Sequence, residues 1–170
     1  MATPLDSVVV EFNQGADSLL IARKSKVNSA SSTKGSQRRS SFSNAIGKRA
    51  EKIVYRFLLN DLPADQRESL RWVSEEGETP GWDIEYFGND RAINAIEVKG
   101  TQGSAFLNVE LTGNEWKAAE DLRDRYSLFL VSRCMGARPV VEVIQNPYGL
   151  SLQGELAAMP LSWRIERIAK

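Results

Sequence analysis

The 170-residue sequence predicts an α/β domain in which helices pack on a mixed β-sheet. Three observations support this. Apolar residues from Ile46 to Leu58 recur at helical spacing, several short runs have the alternating or fully apolar pattern of strands, and a capping box at Thr112 opens a second helix between two such runs. The expected order is a helix, three strands, a further strand, a helix and a strand, which is an α/β sandwich.

The first helix is predicted from about Ser43 to about Asn60, with Ser43 or Asn44 as its N-cap. Pro63 then indicates a loop, followed by a helical turn at residues 65–70. The apolar stripe that marks the helix consists of Ile46, Ala50, Ile53, Val54, Phe57 and Leu58.

Four extended segments follow, at residues 71–74, 82–87, 92–99 and 105–111. The Gly88-Asn89-Asp90 cluster is typical of a turn and predicts that the second and third segments form a hairpin.

The second helix should run from the capping box, Thr112 to Glu115, to about Asp124. Residues 126–133 are nearly all apolar, as in a central strand, and residues 140–145 predict another strand. The remaining tail contains two prolines and two glycines and is interpreted as irregular, with an edge strand at residues 163–168.

The N-terminal part differs in composition from the rest of the chain. Residues 7–12 are interpreted as a short strand and residues 17–22 as a short helix. They form either the end of a preceding domain or a strand that docks on the main fold. Residues 23–49 contain eight Lys or Arg and no acid, whereas the rest of the chain beyond residue 49 has 14 basic and 19 acidic residues.

These shifts predict three units: an N-terminal segment at residues 1–22, a flexible basic Ser-rich linker at residues 23–42 and a folded domain at residues 43–170. The linker is either a solvated tether or an arm that binds phosphates.

Composition excludes several classes of enzyme. The chain has no histidine, so Ser-His and Cys-His nucleophile pairs and His-ligated zinc sites are ruled out. Its single cysteine, Cys134, permits no intrachain disulfide and is expected to be a small buried apolar residue. No apolar run approaches the ~20 residues of a membrane-spanning helix, so no membrane association and a cytoplasmic location are expected.

One cluster of residues suggests chemistry. Glu97 and Lys99 share one face of their strand, and a hairpin places Asp83 opposite that end. Two carboxylates suit Mg²⁺ or Mn²⁺, and a neighbouring lysine can orient or help deprotonate a water that attacks a phosphate. The alternative is a surface hairpin with a simple Glu-Lys pair.

Six sequence blocks resemble the NO VEIN C-terminal domain family over about residues 46–131. The blocks are Gly47-Lys48-Arg49-Ala50-Glu51 with Val54-Tyr55, Trp72-Val73, Gly81-Trp82-Asp83-Ile84, Ile96-Glu97-Val98-Lys99-Gly100-Thr101, Asn114-Glu115-Trp116, and Tyr126. That family is similar to the PD-(D/E)XK nuclease superfamily, whose core is α-β-β-β-α-β. The resemblance implies this core and its mixed central sheet.

The resemblance also implies roles for individual residues. Asp83 and Glu97 would bind the metal, Lys99 would be the catalytic lysine, and Glu51 would complete the metal site through water. One departure is that Pro80 is separated from Asp83 by two residues instead of adjoining it.

The expected function is therefore a Mg²⁺- or Mn²⁺-dependent DNA endonuclease in a restriction, antiphage or DNA-processing system. An ATPase, a helicase or another defence-system subunit is an expected partner, and a homodimer is compatible with double-strand cleavage. The alternative is a catalytically silent module that binds nucleic acid or protein.

Other residues have two interpretations each. Glu115 is either a site residue or simply part of the capping box, and the aromatic residues Trp72, Trp82, Trp116 and Tyr126 are expected in the core or an interface. The expected nucleic-acid contacts are Lys34, Arg38, Arg39, Lys48, Arg49 and Gln102.

Overall fold

The computed structural model describes residues 2–7, 9–14 and 36–160. Its centre is a five-stranded mixed sheet in the order β1-β5-β4-β3-β2. The strands are β1 (Glu11–Gln14), β2 (Ile84–Phe87), β3 (Ile93–Gly100), β4 (Tyr126–Ser132) and β5 (Val140–Gln145). β3 and β4 run parallel, as do β1 and β5, whereas β2–β3 and β4–β5 are antiparallel.

Four α-helices accompany the sheet in the described residues. They are α1 (Ser36–Asp61), α2 (Ala64–Arg67), α3 (Gly113–Leu122) and α4 (Pro147–Gln153). The predicted α/β class with a mixed central sheet is therefore confirmed. β4 is the middle strand, as its almost wholly apolar sequence predicts.

Helix α1 covers one face of the sheet with the apolar stripe identified in the sequence. Ala50, Ile53, Val54 and Leu58 are buried against residues of β3, β4 and β5 that include Ile96, Val98, Val131 and Val141. The helix approaches β3 closely at Gly100, where an added Cβ would lie 2.7 Å from the Cβ of Ala50. This contact places the middle of α1 beside the end of β3.

The opposite face is covered by three pieces of chain. Ala118 and Ala119 of α3 pack on Ala95 and Tyr126. Residues of the segment 105–111 and of α4 cover Leu128, Leu130 and Ile144. Helix α3 reaches the chain before β2 at Gly81, which has a φ of 109° and whose Cβ would lie 2.8 Å from the Asn114 carbonyl oxygen.

The N-terminal segment belongs to this fold through the half-buried side chain of Arg49 on α1. Its Nε donates to the Cys134 carbonyl at 2.6 Å, and its Nη2 donates to the Thr3 carbonyl at 2.5 Å. Backbone bonds from Thr3 to Met135 and from Val9 to Ala137 continue the attachment up to β1. The described strand of this segment, β1, therefore docks on the main fold by pairing with β5.

Replacing Arg49 with alanine should destabilise the fold by about 2–4 kcal/mol. Two hydrogen bonds from a charged donor are lost, and two backbone carbonyls lose their partner. Urea unfolding measures the total effect, and amide hydrogen exchange at Thr3 and Val9 should show that the N-terminal segment is released first. Arg49→Lys is the matched control, which keeps the charge but cannot reach both carbonyls. Wild-type stability in Arg49→Ala would contradict the anchoring role.

The first helix begins at Ser36 rather than near Ser43, so Ser43 and Asn44 are not its N-cap. Residues 36–42, which the sequence assigned to the linker, therefore lie in α1. Gln and Arg are good helix formers, and residues 36–46 contain no glycine or proline, so the helix extends beyond its packed part. Residues 17–22, 23–35 and 163–168 lie outside the described residues, and the three-unit division stays a prediction.

Two of the predicted strands are absent from the described structure. Residues 71–74 are reduced to a single bridge between Arg71 and Glu85, after which the chain turns. Residues 105–111 are irregular because they cross the sheet face without a neighbouring strand to pair with. Their apolar residues Phe106, Val109 and Leu111 pack onto β4 and β5 instead, whereas Leu107 is exposed.

Two further predictions from the sequence differ from the structure. The N-terminal strand lies at residues 11–14 rather than 7–12, preceded by a 3₁₀ turn at Leu5–Ser7. The tail predicted as irregular contains α4, with Pro147 at its first turn and Gly154 at its C-cap. Proline and glycine here delimit a short helix, which is their preferred placement. No helix in the described part of the chain is long and apolar enough to cross a membrane.

Candidate metal and phosphate site

The β2–β3 hairpin brings the predicted site residues together. Ile84 pairs with Ile96, and the Asp83 amide donates to the Ile96 carbonyl at 3.0 Å, so Asp83 lies opposite Glu97. The Asp83 carboxylate folds back along β3, where Oδ2 accepts a hydrogen bond from the Val98 amide at 2.9 Å. The predicted convergence of Asp83 with the Glu97–Lys99 end of β3 is confirmed.

These residues line a cleft of about 490 Å³ between α1, β3, α3 and the segment 105–111. Glu97 is only 3% exposed, on a strand whose parallel neighbour places Leu128 beside it. The charged lining residues are Glu51, Asp83, Glu97, Lys99, Glu110 and Glu115. As far as the structure describes the chain, the lining of the cleft is therefore acidic, with Lys99 as its one cation.

Lys99 is held between two carboxylates. Its Nζ lies 2.6 Å from Glu97 Oε1 and 2.9 Å from Glu115 Oε2. Burial lowers the pKa of Lys99, but its charge interactions and hydrogen bonds with Glu97 and Glu115 outweigh this, so the pKa of the ammonium lies above its ordinary value. Lys99 is thus a cation and hydrogen-bond donor near neutral pH, rather than a base.

Asp83 and Glu97, which lie opposite each other, have strongly raised pKa values. Burial raises the pKa of Asp83 to about 7, and the negative charge of Glu51 adds to the shift. Burial likewise raises the pKa of Glu97 to about 8, and the charge of Asp83 adds to it. The carboxylates therefore repel one another in an environment that disfavours their ionisation.

Glu51 reaches the cleft from α1 and is oriented by two donors. Its Oε2 accepts from Trp72 Nε1 at 2.8 Å and from Ser74 Oγ at 2.6 Å. The Trp72 ring stacks on Tyr55 with 5.5 Å between ring centroids. The chain between α2 and β2 thus fixes the rotamer of this carboxylate.

The three carboxylates offer oxygen ligands, although they do not form a closed cage. Within residues 2–7, 9–14 and 36–160, no group of three or more Asp, Glu, Cys or His converges closely enough to hold a metal ion. Each carboxylate uses one oxygen for the contacts above, and its second oxygen has no hydrogen-bond partner among these residues. Asp83 and Glu97 fit a hard divalent cation whose remaining ligands are water, and Glu51 fits an outer position.

The metal-free protein should lose stability as pH rises from about 4 to about 8. The folded-state pKa values of Asp83 and Glu97 lie above their ordinary values of 3.8 and 4.5, so the native state holds protons that the unfolded chain has released. Melting temperatures in EDTA from pH 5 to pH 9 measure this. Asp83→Asn and Glu97→Gln cannot ionise and should show a flatter decline. An equal or steeper decline in both variants would contradict the raised pKa values.

The predicted nucleic-acid contacts are scattered. Lys48 is exposed at the side of α1 and forms an ion pair with Glu75 at 2.7 Å. Arg49 donates to the backbone carbonyls of Thr3 and Cys134 and so anchors the N-terminal segment, and its contact with nucleic acid stays a prediction. Gln102 is exposed just after β3. Arg38 and Arg39 lie in the first turns of α1, and Lys34 lies outside the described residues.

Several supporting residues were not identified as such from the sequence. Trp72 and Ser74 orient Glu51, and the hydroxyl of buried Tyr126 donates to the Gly81 carbonyl at 3.1 Å, next to the chain that carries Asp83. The sequence signal that could have identified Trp72 and Tyr126 was their presence in the blocks that carry the family resemblance. The predicted capping box of Thr112 and Glu115 is present, and Cys134 is buried as expected.

The comparisons with known proteins agree with the sequence resemblance. A family model described as Protein NO VEIN, C-terminal, matches residues 50–144, more than half of the chain. The matched region contains the hairpin, Glu51, Lys99 and the helix that carries Glu115. No curated protein and no solved structure matches the chain. The chain belongs to the NO VEIN C-terminal domain family.

Proposed function

We propose that this domain is a Mg²⁺- or Mn²⁺-dependent endonuclease of the PD-(D/E)XK type that hydrolyses phosphodiester bonds in DNA. The observation that carries the proposal is the convergence of Asp83, Glu97 and Lys99 in one cleft, with Glu51 facing them from α1. The family resemblance supports a role in a restriction, antiphage or DNA-processing system, in which an ATPase or helicase is the partner expected.

Asp83 and Glu97 would hold the cation through the oxygens that have no hydrogen-bond partner among the described residues. A divalent ion bound there supplies Lewis-acid polarisation of the phosphate and lowers the pKa of its bound water. It would also relieve the mutual repulsion of the two carboxylates.

The chain's own groups have distinct tasks in this proposal. The Lys99 ammonium donates hydrogen bonds to a non-bridging phosphate oxygen and offsets the negative charge that develops there. Glu51, with Oε2 fixed by Trp72 and Ser74, uses Oε1 to orient water. Burial of Glu97 keeps these interactions strong by limiting solvent screening.

A silent binding module is the second candidate. The observation in its favour is that Lys99 is already paired with Glu97 and Glu115. The part of the cleft lining that the structure describes holds five acidic residues and one cation. An acidic cleft repels a polyanion such as DNA unless a cation is bound. Dependence of cleavage on a divalent metal ion therefore distinguishes the endonuclease from the silent module.

The test is conversion of supercoiled plasmid by the purified protein with Mg²⁺, Mn²⁺ or EDTA. The endonuclease should produce nicked or linear DNA with either ion and none with EDTA, and Asp83→Asn should remove the activity. Retained DNA binding without cleavage under all three conditions would favour the silent module.

The basic residues between β1 and α1 should supply much of the nonspecific affinity for DNA. Replacing Arg23, Lys24, Lys26 and Lys34 with serine keeps the chain length and leaves α1 intact. If all four contact phosphates, the slope of log affinity against log salt should shrink in magnitude by about 3–4. Anisotropy titrations at several salt concentrations measure the slope, with Lys117→Ser as a surface control. Equal slopes in wild type and the quadruple variant would mean that this segment is only a tether.

A further inference from the structure

One oxygen of Glu115 connects the start of α3 to Lys99. Oε2 accepts a hydrogen bond from the Thr112 amide at 2.9 Å and another from Lys99 Nζ at 2.9 Å. The Glu115 amide donates to Thr112 Oγ1 at 3.2 Å and completes the capping box. The capping residue and the proposed catalytic lysine therefore share one acceptor.

The position of this acceptor is fixed by its helix. Gly81 lies against the Asn114 carbonyl, and Asn114 Nδ2 donates to the Thr79 carbonyl at 2.9 Å. These contacts attach the first turn of α3 to the chain that leads into Asp83. Glu115 therefore has a defined place relative to both strands of the hairpin.

Electrostatics favour a negative group between the start of α3 and Lys99. The N-terminus of a helix carries a partial positive charge, which would repel the Lys99 ammonium. The Glu115 carboxylate lies next to both and offsets this repulsion. The side chains of Lys99 and Glu115 are 24% and 16% exposed, so their ion pair is better shielded from solvent than a surface pair.

Among the described residues, Glu115 is the partner of Lys99 that is not itself a proposed metal ligand. We propose that Glu115 is a positioning residue, which keeps the Lys99 ammonium aligned at the cleft while the other oxygen of Glu97 would bind the metal. The catalytic part of this inference rests on the proposed nuclease function, whereas the ion pair does not.

Two substitutions separate capping from positioning. Glu115→Gln can still accept from the Thr112 amide, because glutamine serves at this position of a capping box, but it has no charge to hold Lys99. Thr112→Ala removes the hydroxyl acceptor of the cap and leaves the Glu115 carboxylate and its bond to Lys99 in place. Thr112→Ala should lower the melting temperature by about 2–4 °C, and Glu115→Gln should lower it less.

The rate of plasmid cleavage with Mn²⁺ should depend on the charge of residue 115 and not on the melting temperature of the variant. Glu115→Gln should lower kcat by roughly 10- to 100-fold with little change in KM, because a displaced catalytic group costs rate rather than substrate binding. Thr112→Ala should retain wild-type kcat. Wild-type kcat in Glu115→Gln, or an equal loss in Thr112→Ala, would overturn the positioning role.

A second measurement does not depend on cleavage. In protein labelled with ¹⁵N at lysine side chains, a hydrogen-bonded, shielded ammonium exchanges slowly with water and gives an NMR signal, which Lys99→Arg assigns by its disappearance. The Lys99 signal should persist in Thr112→Ala and should broaden or disappear in Glu115→Gln. An unchanged signal in Glu115→Gln would overturn the inference. If the wild-type protein fails to cleave DNA, the nuclease proposal fails, while this signal still decides whether Glu115 holds Lys99.

Discussion

Lys99→Ala is expected to reduce plasmid cleavage by roughly 30- to 1000-fold, the loss that follows removal of one preorganised electrostatic group worth about 2–4 kcal/mol in the transition state. Ion pairs with Glu97 and Glu115 already hold the Lys99 ammonium in place. Its charge therefore interacts with an arriving phosphate without rearrangement of the side chain. Single-turnover cleavage with Mn²⁺ measures the effect on chemistry directly.

The controls for Lys99 must separate charge from folding. Lys99→Met keeps most of the side-chain volume without the charge and should lose as much activity as Lys99→Ala. Lys117→Ala removes an exposed lysine of α3 that pairs with Glu120 and Asp121, and should cleave normally. Circular dichroism and melting curves confirm that each variant folds. Cleavage near the wild-type rate by either Lys99 variant would remove Lys99 from the proposed chemistry.

Mn²⁺ should raise the melting temperature of the wild-type protein by roughly 5–11 °C at a concentration about 100 times its Kd. An ion that binds only the folded state at that concentration contributes about 2.7 kcal/mol. The expected origin is the relief of repulsion between the buried carboxylates of Asp83 and Glu97, whose pKa values of about 7 and about 8 indicate how costly their ionisation is without a cation. The shift should grow from pH 6 to pH 8.5, as protons compete less for the same oxygens.

Asp83→Asn and Glu97→Gln should each lose most of this shift, because an amide is a weaker ligand and no longer needs a counter-ion. Their melting temperatures in EDTA should be at or above the wild-type value at pH 8, since the repulsion is gone. Glu110→Gln, also in the lining of the cleft but outside the proposed ligand pair, is the matched control and should keep the shift. Absence of any Mn²⁺ shift in the wild type would contradict a metal site at these residues.

The positions of the candidate site residues could be predicted from the sequence better than the segments and contacts that surround them. Strand pleating places Glu97 and Lys99 on one face, and the spacing of Asp83 from Glu97 around the Gly88 turn gives their register, so local rules determine the convergence. The capping box of Thr112 and Glu115 is equally local. These features depend on a few neighbouring residues, which a sequence displays directly.

The missed features depend on partners distant in sequence. Residues 105–111 have the alternation of a strand but find no edge to pair with, and this depends on which sheet positions are already occupied. The contacts of Arg49 with Thr3 and Cys134, and of Trp72 with Glu51, join residues that no periodicity relates. Glu115 could be interpreted as a cap from its own segment, while its bond to Lys99 is visible only in three dimensions.

The parallel pairing of β1 with β5 has a consequence for the order of folding. Glu11 pairs with Val140, 129 residues later in the chain, so during synthesis the first strand waits for its partner for about 6–26 s at ordinary rates of elongation. Once residues 140–145 have left the ribosome, β4 and β5 can pair at once, because they are close neighbours in the sequence. Pairing of β1 with β5 therefore closes the longest loop of the described sheet. We expect the rate of this pairing, and not the rate of hairpin formation, to limit how fast the domain folds.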